Sequence, residues 1–139
     1  MNYGFVKVAA AVPHVKVADC FYNIQQIEGL MRQASQKEVQ IIAFPELSVT
    51  SYTCMDLFSQ ETLLRNAEKA LLDLVNNTAD LDLLTIVGCP LVSGSQLINA
   101  AVAFQRGEIL GVVPKSYLPS YKEFQEERWL RPLHTYSNP

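Results

Sequence analysis

The sequence contains few of the residues that build disulfide frameworks or metal centres. Its 139 residues include three cysteines and two histidines, and Cys20, Cys54 and Cys89 lie far apart in the chain. An odd number of widely separated cysteines argues against a disulfide scaffold, and their positions lack the spacing of a zinc site. This usage is typical of a reducing compartment, so we expect the protein in the cytoplasm.

Long apolar runs and basic clusters are also missing. No apolar run approaches the roughly 18 residues that a membrane-spanning helix needs, and the N-terminus lacks the basic and apolar regions of a signal peptide. A net charge of −3 without a cluster of Lys or Arg is atypical of a protein that binds nucleic acid. We therefore expect neither a membrane nor a nucleic acid as a partner.

The apolar content that is present suits one folded domain. Hydrophobic residues make up 49% of the chain and charged residues 18%, which favours a packed core over disorder. The apolar pattern predicts a strand, a helix, a strand, a helix and then three strands. The predicted strands are 5–12, 39–44, 83–87, 97–104 and 109–113. This alternation predicts an α/β sandwich in which helices cover a mixed sheet.

Caps and turns supply finer predictions. Asp19 and Ser59 are predicted to cap the two helices. The first helix is expected to bury an apolar stripe and to place Asn23 on its exposed face. Hairpin turns are predicted at residues 93–95 and 106–108, where glycine separates two strand-like runs.

Two predicted strands end in the same pattern of apolar residues, a proline and a charged residue. Glu46 follows Phe44-Pro45, and Lys115 follows Val113-Pro114. Groups just beyond the carboxyl end of a strand face the ligand crevice in an open α/β sheet. Either charge alone is more often a solvated loop residue, but the pairing of opposite signs indicates a shared site.

The stretches around both charges resemble motifs of a known family. Residues 44–58, FPELSVTSYTCMDLF, and 113–129, VPKSYLPSYKEFQEERW, are similar to motifs of the nitrilase, or carbon–nitrogen hydrolase, superfamily. They most resemble the glutaminase domains of glutamine-dependent NAD synthetases, and the opening GFVKVAAA is similar too, so the resemblance covers the whole chain. Ser51 and Met55 depart from the pattern, because glycine is common at both positions.

The resemblance implies a fold and a domain arrangement. The expected fold is a nitrilase-type α–β–β–α sandwich, of which residues 1–139 form the N-terminal portion. The rest of this glutaminase domain and a synthetase domain are expected downstream. Members of the superfamily also pair their sandwiches, so a homo-oligomer is expected.

The resemblance also implies a Glu-Lys-Cys triad. Glu46 is expected to be the general base and Lys115 the cation that stabilises the tetrahedral oxyanion, while the nucleophilic cysteine is expected beyond Pro139. Cys54 shares the loop with Glu46, but the superfamily tolerates a cysteine there without using it, so we expect a bystander. The 139-residue chain by itself is therefore expected to be inactive.

Three further residues receive roles from the same resemblance. Tyr121 and Tyr52 are expected to contact L-glutamine, although a surface aromatic and half-buried packing explain them equally well. Glu126 is expected to hydrogen-bond around the active-site lysine, while a helix-face glutamate stays an alternative and the neighbouring Glu123 and Glu127 leave the register open.

The implied function is hydrolysis of the glutamine amide, which supplies ammonia for the ATP-dependent amidation of deamido-NAD to NAD. We expect no cofactor for the hydrolysis itself. ATP, Mg²⁺ and deamido-NAD are expected in the C-terminal synthetase domain, because the chain lacks a Gly-rich phosphate loop. Two alternatives stay open: a stand-alone amidase or carbamoylase of the same superfamily, and a non-catalytic nitrilase-like module.

Overall fold

A computed structural model describes residues 3–120, 124 and 126–132. The strands are β1 (Val8–Ala10), β2 (Ile41–Ala43), β3 (Leu84–Ser93), β4 (Gln96–Gln105) and β5 (Glu108–Pro114). The helices are α1 (Cys20–Gln36) and α2 (Glu61–Asn77), and two 3₁₀ segments span Tyr52–Ser59 and Glu126–Arg128. The predicted order of strands and helices is confirmed.

The five strands form one mixed sheet in the order β1-β2-β3-β4-β5. β1, β2 and β3 run parallel, and β4 and β5 continue the sheet in antiparallel fashion. Gly94 lies in the β3–β4 turn, and Arg106 and Gly107 form the β4–β5 turn; all three have positive φ, as tight two-residue hairpins require. Both predicted turns are confirmed.

One face of the sheet carries the two helices and the main core. Asp19 caps α1 as predicted, because its carboxylate accepts the Tyr22 N–H at 3.1 Å. Apolar residues of α1 and α2 pack with the fully buried Ile42, Val87 and Val102 of the sheet. Apolar packing against α1 and α2 therefore stabilises the central strands on the helix-covered side of the sheet.

The prediction that Asn23 is exposed was wrong. Asn23 is fully buried, and its amide accepts the Lys16 N–H and donates to the carbonyls of Lys16 and Val49. The side chain therefore ties the segment before α1 to the loop after β2. A buried amide is stable there because backbone groups satisfy it.

The predicted N-cap of the second helix was also wrong. α2 begins at Glu61 with Gln60 as its N-cap, which makes no side-chain capping bond. Ser59 instead ends the first 3₁₀ segment. Because that segment continues to Ser59, the helix starts one residue later than a Ser59 cap predicts.

The first predicted strand is shorter and more exposed than expected. β1 has three residues, and Phe5, Val8 and Val12 are 80%, 64% and 81% exposed. Because both helices pack on one side of the sheet, the opposite side leaves its apolar residues partly or largely exposed. We call that side the open sheet face. Its residues, which follow from strand alternation and register, are Val8, Ala10, Ile41, Ala43, Leu84, Ile86, Ala101, Ala103 and Val113.

Candidate active site

Glu46 is carried by a tight turn that rests on β3. The Val49 N–H donates to the Gly88 carbonyl at 3.1 Å, and the Gly88 N–H donates to the Ser48 hydroxyl at 3.3 Å. A Cβ at Gly88 would overlap the backbone nitrogen of Leu47 and lie 2.9 Å from the Glu46 Cα. Glycine at position 88 therefore permits the close approach that places Glu46 just beyond the carboxyl end of β2.

Lys115 reaches Glu46 from the end of β5. Its Nζ lies 2.7 Å from Glu46 Oε1, although the two residues are 69 positions apart. The same Nζ lies 3.0 Å from Glu126. The predicted proximity of Glu46 and Lys115 is confirmed, and the expected contact of Glu126 with Lys115 is present. Their chemical roles stay predictions.

Glu126 is buried behind this ion pair. Its side chain is 5% exposed, and Oε1 accepts the Tyr52 hydroxyl at 2.8 Å. Tyr52 is partly exposed and belongs to the first 3₁₀ segment. Its expected contact with glutamine stays a prediction, and Tyr121 lies outside the described residues.

The two carboxylates keep Lys115 charged. Burial by itself would lower the pKa of the Lys115 ammonium, because it disfavours the cation. Hydrogen bonds to Glu46 and Glu126 outweigh burial, so the pKa of Lys115 is raised above its usual value. A permanent cation beside Glu46 suits the stabilisation of a developing oxyanion.

Asn99 is a site residue that the sequence reasoning missed. It is buried in β4, and its Nδ2 donates to Glu46 Oε1. Its carbonyl accepts the Lys115 N–H at 2.7 Å. The available signal was a polar residue between Ile98 and Ala100 in an otherwise apolar strand.

A second missed cluster joins the two 3₁₀ segments. Asp56 accepts hydrogen bonds from Arg128 Nε and Trp129 Nε1, both at 2.9 Å. The Phe58 and Trp129 rings pack with their centroids 6.1 Å apart. These contacts hold the segment that carries Glu126 against the loop after β2.

Two cavities border the cluster formed by Glu46, Lys115 and Glu126. One of about 350 Å³ lies on the open sheet face and is lined by the strand ends together with Glu46, Asn99 and Lys115. The other, of about 250 Å³, is mostly apolar and is lined by Tyr52 and Glu126 among others. Small-molecule sites commonly combine apolar walls with a few convergent polar groups.

The three cysteines do not line these cavities. Cys54 is buried, and its Sγ donates to the Thr50 carbonyl at 3.1 Å. Burial raises the pKa of all three thiols, that of Cys20 to about 11. None of the three lines either cavity. The assignment of Cys54 as a bystander stays a prediction.

The part of the chain that the structure describes contains neither a metal-ligand cluster nor a membrane-spanning helix. Its residues bring together no group of three or more His, Cys, Asp or Glu side chains that could hold a metal ion. Within the same residues, no helix is long and apolar enough to cross a membrane.

Comparison with known proteins identifies the family. The sequence pattern of carbon-nitrogen hydrolases matches residues 7–135, which is most of the chain. The chain belongs to the carbon–nitrogen hydrolase family. The resemblance inferred from the two motifs is thereby confirmed.

Curated relatives narrow the comparison within the family. The chain is 42% identical over 131 residues to the glutamine-dependent NAD(+) synthetase of Mycobacterium bovis, which covers 94% of this chain and 19% of that protein. It is 37% identical over 115 residues to the enzyme of the same name from Aquifex aeolicus, covering 83% of this chain and 20% of that protein. The chain thus spans about a fifth of the length of these relatives.

Solved structures share the fold. A glutamine-dependent NAD(+) synthetase from Cytophaga hutchinsonii matches with a TM-score of 0.88 at 21% identity, over 94% of this chain and 22% of that one. An amidase from Nesterenkonia matches with a TM-score of 0.76 at 19% identity, over 94% of this chain and 49% of that one. The mixed sheet with its helices is the N-terminal part of a nitrilase-type sandwich, as predicted.

Proposed function

We propose that this chain supplies the base and the oxyanion-stabilising cation of a glutaminase site that hydrolyses the side-chain amide of L-glutamine. The observation that carries the proposal is the Lys115 ammonium, held between Glu46 and Glu126 at the strand ends. Identity of 42% to a glutamine-dependent NAD(+) synthetase supports glutamine as the substrate.

The nucleophile is proposed to be a cysteine from outside these 139 residues. The three cysteines of the chain are buried, and the pKa of each thiol is raised by burial, which disfavours the reactive thiolate. The cavity of about 350 Å³ on the open sheet face leaves room for an incoming thiol beside Glu46. A segment that covered this face could therefore complete the site.

The first half of the reaction forms a thioester. The Glu46 carboxylate takes the thiol proton, and the sulfur forms a bond to the amide carbon. The carbonyl π electrons move to oxygen, where the Lys115 ammonium stabilises the negative charge. The oxyanion then collapses, the C–N bond breaks, and the proton on Glu46 passes to the nitrogen, which leaves as ammonia.

The second half releases glutamate. Water attacks the thioester carbon while Glu46 accepts one of its protons. The C–S bond breaks, and the proton on Glu46 returns to the sulfur. Glu126 holds Lys115 in place through both halves, and Tyr52 and Tyr121 are proposed to contact the glutamine.

The ammonia released from glutamine is proposed to be used by a second domain. The curated relatives are named glutamine-dependent NAD(+) synthetases. We therefore propose that ammonia passes to a C-terminal synthetase domain, which uses ATP and Mg²⁺ to amidate deamido-NAD. A cytoplasmic homo-oligomer is the proposed setting.

The test uses the full-length gene product that contains this chain. Release of ammonia and glutamate from L-glutamine is measured for the wild type and for Glu46→Gln and Lys115→Met. Loss of a general base costs about 10²–10⁴-fold in rate, and loss of an oxyanion donor about 10²–10³-fold. Glu61→Gln and Lys69→Met are matched controls, because both residues lie on the exposed surface of α2.

The outcomes separate the proposal from its alternatives. Wild-type rates in Glu46→Gln or Lys115→Met would refute the assigned roles. Preference of the wild type for short aliphatic amides over glutamine would favour a stand-alone amidase. Absence of amide hydrolysis with every substrate would favour a non-catalytic module.

A further inference from the structure

Asn99 forms hydrogen bonds with both residues of the Glu46–Lys115 ion pair. Its backbone carbonyl accepts the Lys115 N–H at 2.7 Å, and its side-chain Nδ2 donates to Glu46 Oε1. The residue is 3% exposed, so packing in β4 restricts its rotamer. Asn99 thus restrains both the backbone of Lys115 and the side chain of Glu46.

The hydrogen bonds to Glu46 converge on one oxygen. Among the residues that the structure describes, the donors to this carboxylate are Lys115 Nζ and Asn99 Nδ2, and both bind Oε1. A carboxylate can only accept, so the amide must present its nitrogen there. Within that part of the chain, Oε2 accepts no hydrogen bond and is available to an incoming donor.

We propose that Asn99 is a positioning residue that holds Glu46 through Oε1, so that Oε2 is the oxygen that takes the proton from the nucleophilic thiol. The inference rests on the proposed glutaminase function. Lys115 alone leaves the carboxylate free to turn about its contact with a flexible ammonium. A second donor, from a rigid strand, removes that freedom without adding charge.

Two substitutions at position 99 test whether the Asn99 side chain holds Glu46 in place. Leucine has the same number and branching of side-chain heavy atoms as asparagine but no donor, so Glu46 would lose one of its two restraints. Aspartate also keeps the size, and it would bring a second negative charge against the carboxylate. Both variants preserve the backbone hydrogen bond to Lys115, so they test the side chain alone.

The kinetic test uses the full-length gene product with active sites counted by an electrophilic glutamine analogue. We expect Asn99→Leu and Asn99→Asp to lower kcat per titrated site by about 10–100-fold, because a misplacement of about 1 Å can cost 10²-fold. KM for glutamine should stay within about threefold, since Asn99 contacts no substrate in the proposal. Val102→Ala is the control, because it destabilises the same strand from the helix-covered face.

A crystal structure of Asn99→Leu gives a readout that does not depend on activity. We expect the Glu46 carboxylate to turn away from position 99 and its contact with Lys115 to change. Unchanged kcat per site, or a carboxylate that keeps its place, would overturn the positioning role while leaving the proposed function intact. If the wild type hydrolyses no glutamine, the proposed function and the role of Oε2 as proton acceptor both fail, and the carboxylate position in the variant then decides only whether Asn99 holds Glu46 in place.

Discussion

Gly88 and Leu47 lie backbone against backbone, so closely that a Cβ on residue 88 would overlap the Leu47 nitrogen. This contact seats the turn that carries Glu46 on β3. Leu47 itself has a φ of +53°, which is uncommon for a residue with a side chain. The position of the proposed base therefore depends on a glycine in another strand.

Gly88→Ala is expected to be destabilising and to displace Glu46. The added methyl meets backbone atoms, which cannot rotate away, so we expect a loss of about 1–3 kcal/mol in the free energy of unfolding. Displacement of Glu46 should also lower the proposed glutaminase activity of the full-length gene product by roughly 10²-fold. Urea unfolding and the glutamine assay measure the two effects.

Gly111→Ala is the matched control for this substitution. Gly111 also lies in a strand, but a Cβ there would meet nothing within 4 Å. We expect its stability to stay within about 0.5 kcal/mol of the wild type. Equal stability of the two alanine variants would contradict the close contact at Gly88.

Met55 is expected to be a strained position in the loop after β2. Its φ is +53° and its ψ is −128°, a conformation that favours glycine, and its side chain is 52% exposed. Met55→Gly should therefore raise the free energy of unfolding by about 1–2 kcal/mol. Met55→Ala keeps the Cβ and should gain little. A Met55→Gly variant less stable than Met55→Ala would show that the strain is absent.

The backbone conformation of the loop after β2 explains why glycine was expected at two of its positions. Ser51 and Met55 are the two positions at which the resemblance to the family led us to expect glycine. Both have positive φ, at +77° and +53°. The loop therefore keeps a glycine-like backbone path with residues that fit it poorly.

The cysteines should be unreactive in the native protein. Burial raises the pKa of Cys54 and raises that of Cys20 to about 11, so thiolate is scarce near pH 8. We expect iodoacetamide to alkylate none of the three within an hour at that pH, and all three in denaturant. Mass spectrometry of the digested 139-residue chain identifies the labelled sites. Rapid native labelling of Cys54 would contradict its assignment as a bystander.

The pH dependence of stability should report the Lys115 ion pairs. The pKa of Lys115 is raised in the folded protein, so its pairs stabilise the fold below the usual lysine pKa and are lost as pH rises through the raised value. The stability difference between wild type and Lys115→Met should therefore shrink above about pH 10.5. Lys69→Met is the control, because its pair with Asp73 is exposed. A difference that stayed constant up to pH 12 would refute the raised pKa.

Local signals made much of the fold predictable. Apolar periodicity and the Asp19 cap gave α1, and Gly94 and Gly107 marked the two hairpins. The proximity of Glu46 and Lys115 followed from a general property of strand ends. None of these inferences required knowledge of which side chains meet across the sheet.

The contacts that were missed depend on long-range register. Asn99 meets Lys115 through the pairing of β4 with β5, which contains a bulge at Ala103/Phe104 that a turn alone does not predict. Asp56 and Arg128 are 72 residues apart. Asn23 was misplaced because periodicity treats every polar residue as exposed, whereas this amide serves buried backbone groups.

The open sheet face should make the isolated 139-residue chain self-associate. Val8 and Val113 are 64% and 67% exposed on a largely apolar surface, and such patches promote association. Size-exclusion chromatography with light scattering should give a mass above 15.6 kDa that rises with concentration. The double variant Val8→Lys/Val113→Lys should shift the chain towards monomer. Leu72→Lys, at an exposed position on α2, should leave the association unchanged, and a wild-type chain that is monomeric at every concentration would contradict the prediction.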